Sequence, residues 1–157
     1  MASQGKSDIE IGSEYPRAYV RFYKAVDRVR FNYARLDNKF APVKVLVFCG
    51  AAGTGKTRKA YAYDPDLYRL SQGDTIWWDG YQGQKTILID DFYGWIKYGS
   101  LLQLLDGYKY QLPIKGAFTW KQWNTVIITS NVHPEEWYTK GFTPALKRRI
   151  IEISVGE

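Results

Sequence analysis

An α/β fold, with a central, mostly parallel sheet and helices on both faces, is what this sequence predicts. Three stretches predict it. Each is a short apolar, β-rich run that stops at polar residues of a particular kind. Residues 43–48 run into Gly50-Ala51-Ala52-Gly53-Thr54-Gly55-Lys56-Thr57, residues 86–89 into Asp90-Asp91, and residues 125–128 into Thr129-Ser130-Asn131. Parallel strands buried on both faces read as continuous apolar runs. In such sheets the chemistry collects at the carboxyl ends of the strands.

Bulk composition narrows the function classes. A chain of 157 residues that is 45% hydrophobic is long enough for one domain with a real core, and too apolar for disorder. Lys plus Arg outnumber Asp plus Glu by 22 to 16, a formal charge of +6, which favours a polyanionic partner, nucleic acid foremost. Aromatic residues make up 17%, so six Trp and thirteen Tyr must pack in a core or stack on something. The single cysteine, Cys49, rules out an internal disulfide and a cysteine-cluster metal site. At the end of an apolar strand it reads as a small buried hydrophobe. No run approaches a membrane span and no signal peptide is visible, so a reducing, soluble setting with no membrane partner is expected.

The stretch from Gly50 to Thr57 fits the phosphate-loop pattern G-x-x-x-x-G-K-[ST] at each specified position. Glycines let the backbone curl so that successive N–H groups point at phosphate oxygens. Lys56 places a positive charge on the β- and γ-phosphates, and the Thr57 hydroxyl can hold Mg²⁺. Residues 57–62, with Arg58 in the opening turn, can form a helix whose N-terminus favours an anion. The expected nucleotide-binding set is Gly50, Ala51, Ala52, Gly53, Thr54, Gly55, Lys56, Thr57 and Arg58, with ATP and Mg²⁺ as ligands. An ordinary glycine-rich turn is the alternative, and the strand–loop–helix frame argues against it. A second parallel strand would deliver Asp90 beside this loop to hold the Mg²⁺ shell, leaving Asp91 to polarise the attacking water. Two structural loop acids are the bland reading of that pair. Asn131 can bond the γ-phosphate or the lytic water, or simply start the turn before Pro134.

The remaining chain reads as follows. Residues 1–14 are polar and aperiodic, a flexible lead. Pro16 suits the first turn of a helix. Tyr19, Phe22, Tyr23, Val26, Val29 and Tyr33 then draw one apolar stripe. Arg17, Arg21, Lys24, Arg28 and Arg35 fall largely off it, as a solvated basic face or as a surface for subunits or nucleic acid. Residues 37–42 form a turn. Asp64-Pro65-Asp66 ends the helix after the phosphate loop, and residues 67–70 make a short strand. Trp77-Trp78-Asp79-Gly80-Tyr81 reads as core and turn. Tyr98, Leu101, Leu102, Leu104 and Leu105 suggest a helix ending near Gly107. Residues 110–120 read as two short strands around Lys115-Gly116, where the lysine is either a solvated charge or reaches a DNA phosphate. His133, the sole histidine, reads as structural. Residues 135–138 allow one helical turn. Thr143-Pro144 starts a helix through Arg149, and residues 150–153 close as a strand. Arg148 and Arg149 either suit that helix's C-terminus or reach a neighbouring subunit's ATP.

In their order, the phosphate loop, paired-acid strand, Lys-Gly hairpin, Asn-ended strand and Arg pair resemble the superfamily 3 helicases, which are AAA+-type P-loop ATPases. Trp77-Trp78-Asp79-Gly80-Tyr81, with Ile89-Asp90-Asp91-Phe92-Tyr93-Gly94-Trp95, is similar to the replication-associated proteins of circular single-stranded DNA viruses, circoviruses and cycloviruses above all. The resemblance covers residues 43–153. It implies an ATP-dependent DNA helicase acting in rolling-circle replication in the host cell nucleus. It also implies Walker A at Gly50 to Thr57, Walker B at residues 87–91, and Lys115 with Gly116 in a DNA-binding B′ hairpin. Asn131 would be sensor 1, and Arg148 or Arg149 the arginine finger. Single-stranded and forked DNA would be partners, and the chain a homo-oligomer, usually a hexameric ring. The implied division is a lead at 1–14, a helical oligomerisation segment at 15–40 and the ATPase domain at 41–157. Family members begin with an endonuclease domain that uses a His-hydrophobic-His motif and a Tyr nucleophile. With His133 alone that motif cannot exist in this chain, which reads as the helicase part of a longer protein, without nicking or joining. Two competitors remain. One is a DNA-binding assembly module that uses ATP as a switch. The other is a small-molecule kinase on the same loop, for which the aromatic region suggests neither lid nor acceptor pocket.

Overall fold

The computed structural model describes residues 7–36 and 39–156. In chain order its elements are α1 (Asp8–Glu14), α2 (Pro16–Leu36), β1 (Lys44–Cys49), α3 (Lys56–Tyr63), β2 (Tyr68–Leu70), β3 (Thr86–Ile89), α4 (Tyr98–Leu105), β4 (Gln111–Ile114), β5 (Ala117–Trp120), β6 (Thr125–Ser130), a 3-10 turn at Pro134–Glu136, α5 (Pro144–Lys147) and β7 (Ile151–Ser154). Five strands form one sheet in the order β2-β3-β6-β1-β7, and every neighbouring pair is parallel.

Successive residues of a strand face opposite sides. So β1 sends Val45, Val47 and Cys49 into one core and Leu46 and Phe48 into the other. Helix α3 covers the second face through Ala60. The first is filled by Leu101, Leu104 and Leu105 of α4, Leu146 of α5, and the ring pair Trp78–Trp123, stacked at 4.9 Å. The Trp-rich segment is thus core, as expected, except that Trp77 stays 40% exposed. Burying an aliphatic side chain is worth about 1.5–3 kcal/mol. Strands β3 and β6, buried at every residue, are therefore firm mounts for what projects from their ends.

Register brings those ends level. Cys49 pairs with Ser130 and Ile89 with Ile128, so the phosphate loop, Asn131 and the two aspartates leave the same edge of the sheet. Apart from the sheet, β4 and β5 form an antiparallel hairpin with Ile114 opposite Ala117. Its tip is Lys115-Gly116, and Gly116 takes φ 80°, which only glycine adopts without strain.

The lead differs from expectation. Residues 8–14 form α1 because Ser7 starts a capping box. Ser7 Oγ accepts from Glu10 N at 3.3 Å, and the Glu10 carboxylate accepts from Ser7 N at 2.6 Å. Buried Ile11 and an Arg30–Asp8 ion pair fasten α1 to α2. On α2, Tyr19 and Val26 are half-buried, but Phe22, Tyr23 and Val29 of the expected stripe are exposed. Residues 1–6 of the lead, residues 37–38 of the turn, and the side chains of Tyr33 and Arg35 lie outside what is described.

Candidate nucleotide site

The loop is built by its glycines. Gly53 and Gly55 sit at φ 79° and 83°. Gly50 is excluded from carrying a side chain for a different reason: a Cβ there would lie 2.2 Å from the Val155 carbonyl oxygen. Lys56 opens α3 and is only 6% exposed. Its Nζ donates to the carbonyls of Gly50 at 2.9 Å and Ala51 at 2.6 Å, which turns the ammonium into the loop. Thr54 Oγ1 donates to Ala51 O at 2.8 Å. Arg58 is exposed on the first turn of α3.

The acid strand meets this loop through one carboxylate. Thr57 Oγ1 donates to Asp90 Oδ1 at 2.8 Å, and Thr129 Oγ1 donates to the same oxygen at 2.6 Å. The Arg69 guanidinium, from β2, lies 2.7 Å from Asp90 Oδ2. Asp90 is buried and fully engaged, whereas Asp91 is exposed. Asp91 has φ 49°, the only positive value outside glycine among the described residues. A left-handed L-residue costs about 1–2 kcal/mol, and Asp is one of the few types that visits it. Its N–H donates to Thr129 Oγ1 at 2.8 Å. One threonine hydroxyl therefore accepts from the second acid's backbone and donates to the first acid's carboxylate.

Thr57 and Asp90 offer hard oxygen donors already in contact, which fits Mg²⁺. Among the described residues no group of three His, Cys, Asp or Glu could hold a metal alone.

Other expected residues are placed as follows. Asn131 is exposed just beyond Ser130, between the phosphate loop and the acids. Lys115 is exposed at the hairpin tip, and its backbone N–H donates to Asp79 Oδ1 at 3.2 Å. Arg149 is half-buried, with Nη1 donating to Ala145 O at 2.5 Å, while Arg148 is exposed. Lys115 and the Arg pair thus stand on elements apart from the loop–acid cluster. Sequence reasoning passed over Thr129 and Arg69. Neither carries a local signal for that role: Thr129 reads as one of the polar residues that end its strand, and Arg69 as one residue of a short edge strand.

A parallel sheet whose first strand feeds a glycine-rich loop and helix, with an acid-ended strand one place removed across β6, defines a P-loop NTPase-like α/β domain. The family model described as RNA helicase matches residues 46–132, more than half of the chain, and the chain belongs to that family as a superfamily 3 helicase domain. It is similar to the replication-associated protein of goose circovirus, 38% identical over 143 residues, covering 90% of this chain and 48% of that protein. For the replication-associated protein of beak and feather disease virus the identity is 36% over 150 residues, with 95% and 51% covered. For that of canary circovirus it is 34% over 148 residues, with 93% and 50% covered. The chain spans about half the length of these relatives.

Proposed function

We propose that this domain hydrolyses ATP with Mg²⁺ to move along and unwind DNA, as the helicase part of a viral replication-associated protein. The observation that carries the reading is the 2.8 Å bond from Thr57 to Asp90, which joins the phosphate loop to the acid strand across β6. The similarity to replication-associated proteins and the charge of +6 support a nucleic acid as the partner.

In this reading the loop amides and Lys56 hold the triphosphate, and Lys56 offsets the charge that develops on the transferred phosphoryl group. Thr57 and Asp90 hold Mg²⁺, which supplies Lewis-acid stabilisation when bound. Asp91, exposed at the end of β3, takes a proton from the attacking water, and Asn131 orients that water. Arg148 is the better arginine finger, because it is exposed whereas Arg149 is half-buried and turned back onto the Ala145 carbonyl. Lys115 and Gly116 meet phosphates of single-stranded or forked DNA. The exposed apolar side of α2 helps several copies, six in a ring by family analogy, to assemble. The working compartment is the host cell nucleus.

Lys56→Ala tests the site. The expected result is a folded protein by circular dichroism whose ATP turnover falls by about 10²-fold or more. Parent-like turnover in that variant would overturn the reading. A forked-DNA strand-displacement assay on the parent chain then separates a helicase from an ATP-switched DNA-binding module, since only the helicase releases the strand.

A further inference from the structure

Arg69 belongs to no phosphate-loop pattern, yet it holds one oxygen of the acid at the centre of the site. Strand β2 lies at the sheet edge, with Leu70 level with Ile89, so Arg69 reaches Asp90 just past the end of β3. The two partners are unequal. Arg69's side chain is 55% exposed, while that of Asp90 is 5% exposed. A buried carboxylate without a counter-charge is costly, whereas a half-exposed guanidinium passes into water at little cost. Of this pair, the arginine is the one that can leave.

The carboxylate's other oxygen is already committed. Oδ1 accepts from both Thr57 and Thr129. Oδ2 is the oxygen that the guanidinium holds at 2.7 Å. A divalent cation on Oδ2 and a guanidinium at that distance would repel each other, because the carboxylate they share is buried. The strand that carries Arg69 is held by its parallel pairing with β3, and just beyond its end Gln72 Nε2 donates to Tyr93 Oη at 2.7 Å. Arg69 can therefore swing away while β2 keeps its place.

We propose that Arg69 is a built-in counter-cation which occupies Asp90 and competes with the divalent metal for it. This rests on the reading of Asp90 as the metal-shell acid. Arg69 balances the charge of the buried carboxylate and keeps it aimed, and it yields that carboxylate to metal that arrives with a nucleotide's phosphates. Metal without nucleotide is then bound poorly, so the site is loaded by the complex of the two.

The test titrates Mn²⁺ alone into the full chain and follows free Mn²⁺ by electron paramagnetic resonance. Arg69→Gln and Arg69→Met should each bind Mn²⁺ about 5- to 20-fold more tightly than the parent, because a competing positive charge is gone. Arg69→Lys, which keeps the charge, should stay near the parent. In EDTA, Arg69→Gln should melt below the parent, because Asp90 loses its counter-charge. Equal or weaker Mn²⁺ binding in both neutral variants would overturn the proposal and make Arg69 a plain scaffold residue. Asp90→Asn keeps the two failures apart. If it abolishes Mn²⁺ binding while the Arg69 variants match the parent, only the counter-cation idea falls. If Asp90→Asn made in the Arg69→Gln background binds Mn²⁺ as tightly as Arg69→Gln itself, the metal-shell reading falls and takes this inference with it.

Discussion

The edge of the sheet that carries the phosphate loop and the helical pair α1–α2 treat their side chains in opposite ways. At the sheet edge, charge and hydroxyl groups are pinned. Asp90 is engaged on both oxygens, Lys56 is curled onto two carbonyls, and the strands behind them are buried throughout. On α2, large apolar groups stand in water, with Phe22 54%, Tyr23 47% and Val20 76% exposed. In one region the charged groups find their hydrogen-bond partners within a single copy of the chain. The other has apolar surface left over, as does a helix whose stripe meets a second molecule.

The comparison is broken most severely through the core behind the site. Phe48, 2% exposed beneath α3, should cost about 3–5 kcal/mol as Phe48→Ala, read as a lower urea midpoint with unchanged slope. A loss below about 1 kcal/mol would mean that the sheet edge is no firmer than the helical pair.

Next comes the hydroxyl that joins the two acids. Thr129→Val removes a donor to Asp90 and the acceptor for Asp91 N–H, and should cut ATP turnover by about 10- to 100-fold. Thr129→Ser should restore most of it, and rescue by serine is what distinguishes positioning from packing.

A third test uses pH. Lys121 is 5% exposed, and burial lowers its pKa to about 8, against the pull of the Asp106 carboxylate in the other direction. Folded Lys121 therefore binds fewer protons than unfolded Lys121 between about pH 8 and about 10.5, so stability should rise with pH in that window. From about pH 7.5 to 9.5 the gain should be about 2 kcal/mol by urea unfolding, and Lys121→Met should abolish it. Tyr81 and Tyr138, pushed upward by burial, act the other way above about pH 10, which sets the upper limit of the scan.

The smallest effect is the sharpest on the contrast itself. Phe22→Ser should change the urea midpoint of dilute protein by less than about 0.5 kcal/mol. It should nonetheless weaken self-association by analytical ultracentrifugation and flatten the concentration dependence of ATP turnover. A stability loss as large as that of Phe48→Ala would show that α2 is packed within its own chain.

Much of the site was legible because its local parts are specified locally. A glycine-rich loop between an apolar strand and a helix needs residue types that few other structures need, and an Asp pair ending a buried run is similarly distinctive. Ser7 and Glu10 carried an equally local signal for α1, but it was passed over beneath a polar composition. The roles of Thr129 and Arg69 were not legible in that way. The partners of Asp90 come from different elements, Arg69 from β2, Thr129 from β6 and Thr57 from α3, and no spacing along the chain brings them together.

The sequence by itself determined the phosphate loop, the buried strands and their polar ends, the Lys-Gly hairpin and the aromatic core segment. Those depend on φ preference, apolar period and turn chemistry, which act over a few residues. Only the tertiary structure decided that β6 lies between the loop strand and the acid strand, that Arg69 and Thr129 share Asp90, that Arg149 is engaged while Arg148 is exposed, and that Phe22, Tyr23 and Val29 of the α2 stripe are exposed. Neighbourhood in a sheet and the burial of a face are set by how distant segments pack, and a reading along the chain holds no measure of that.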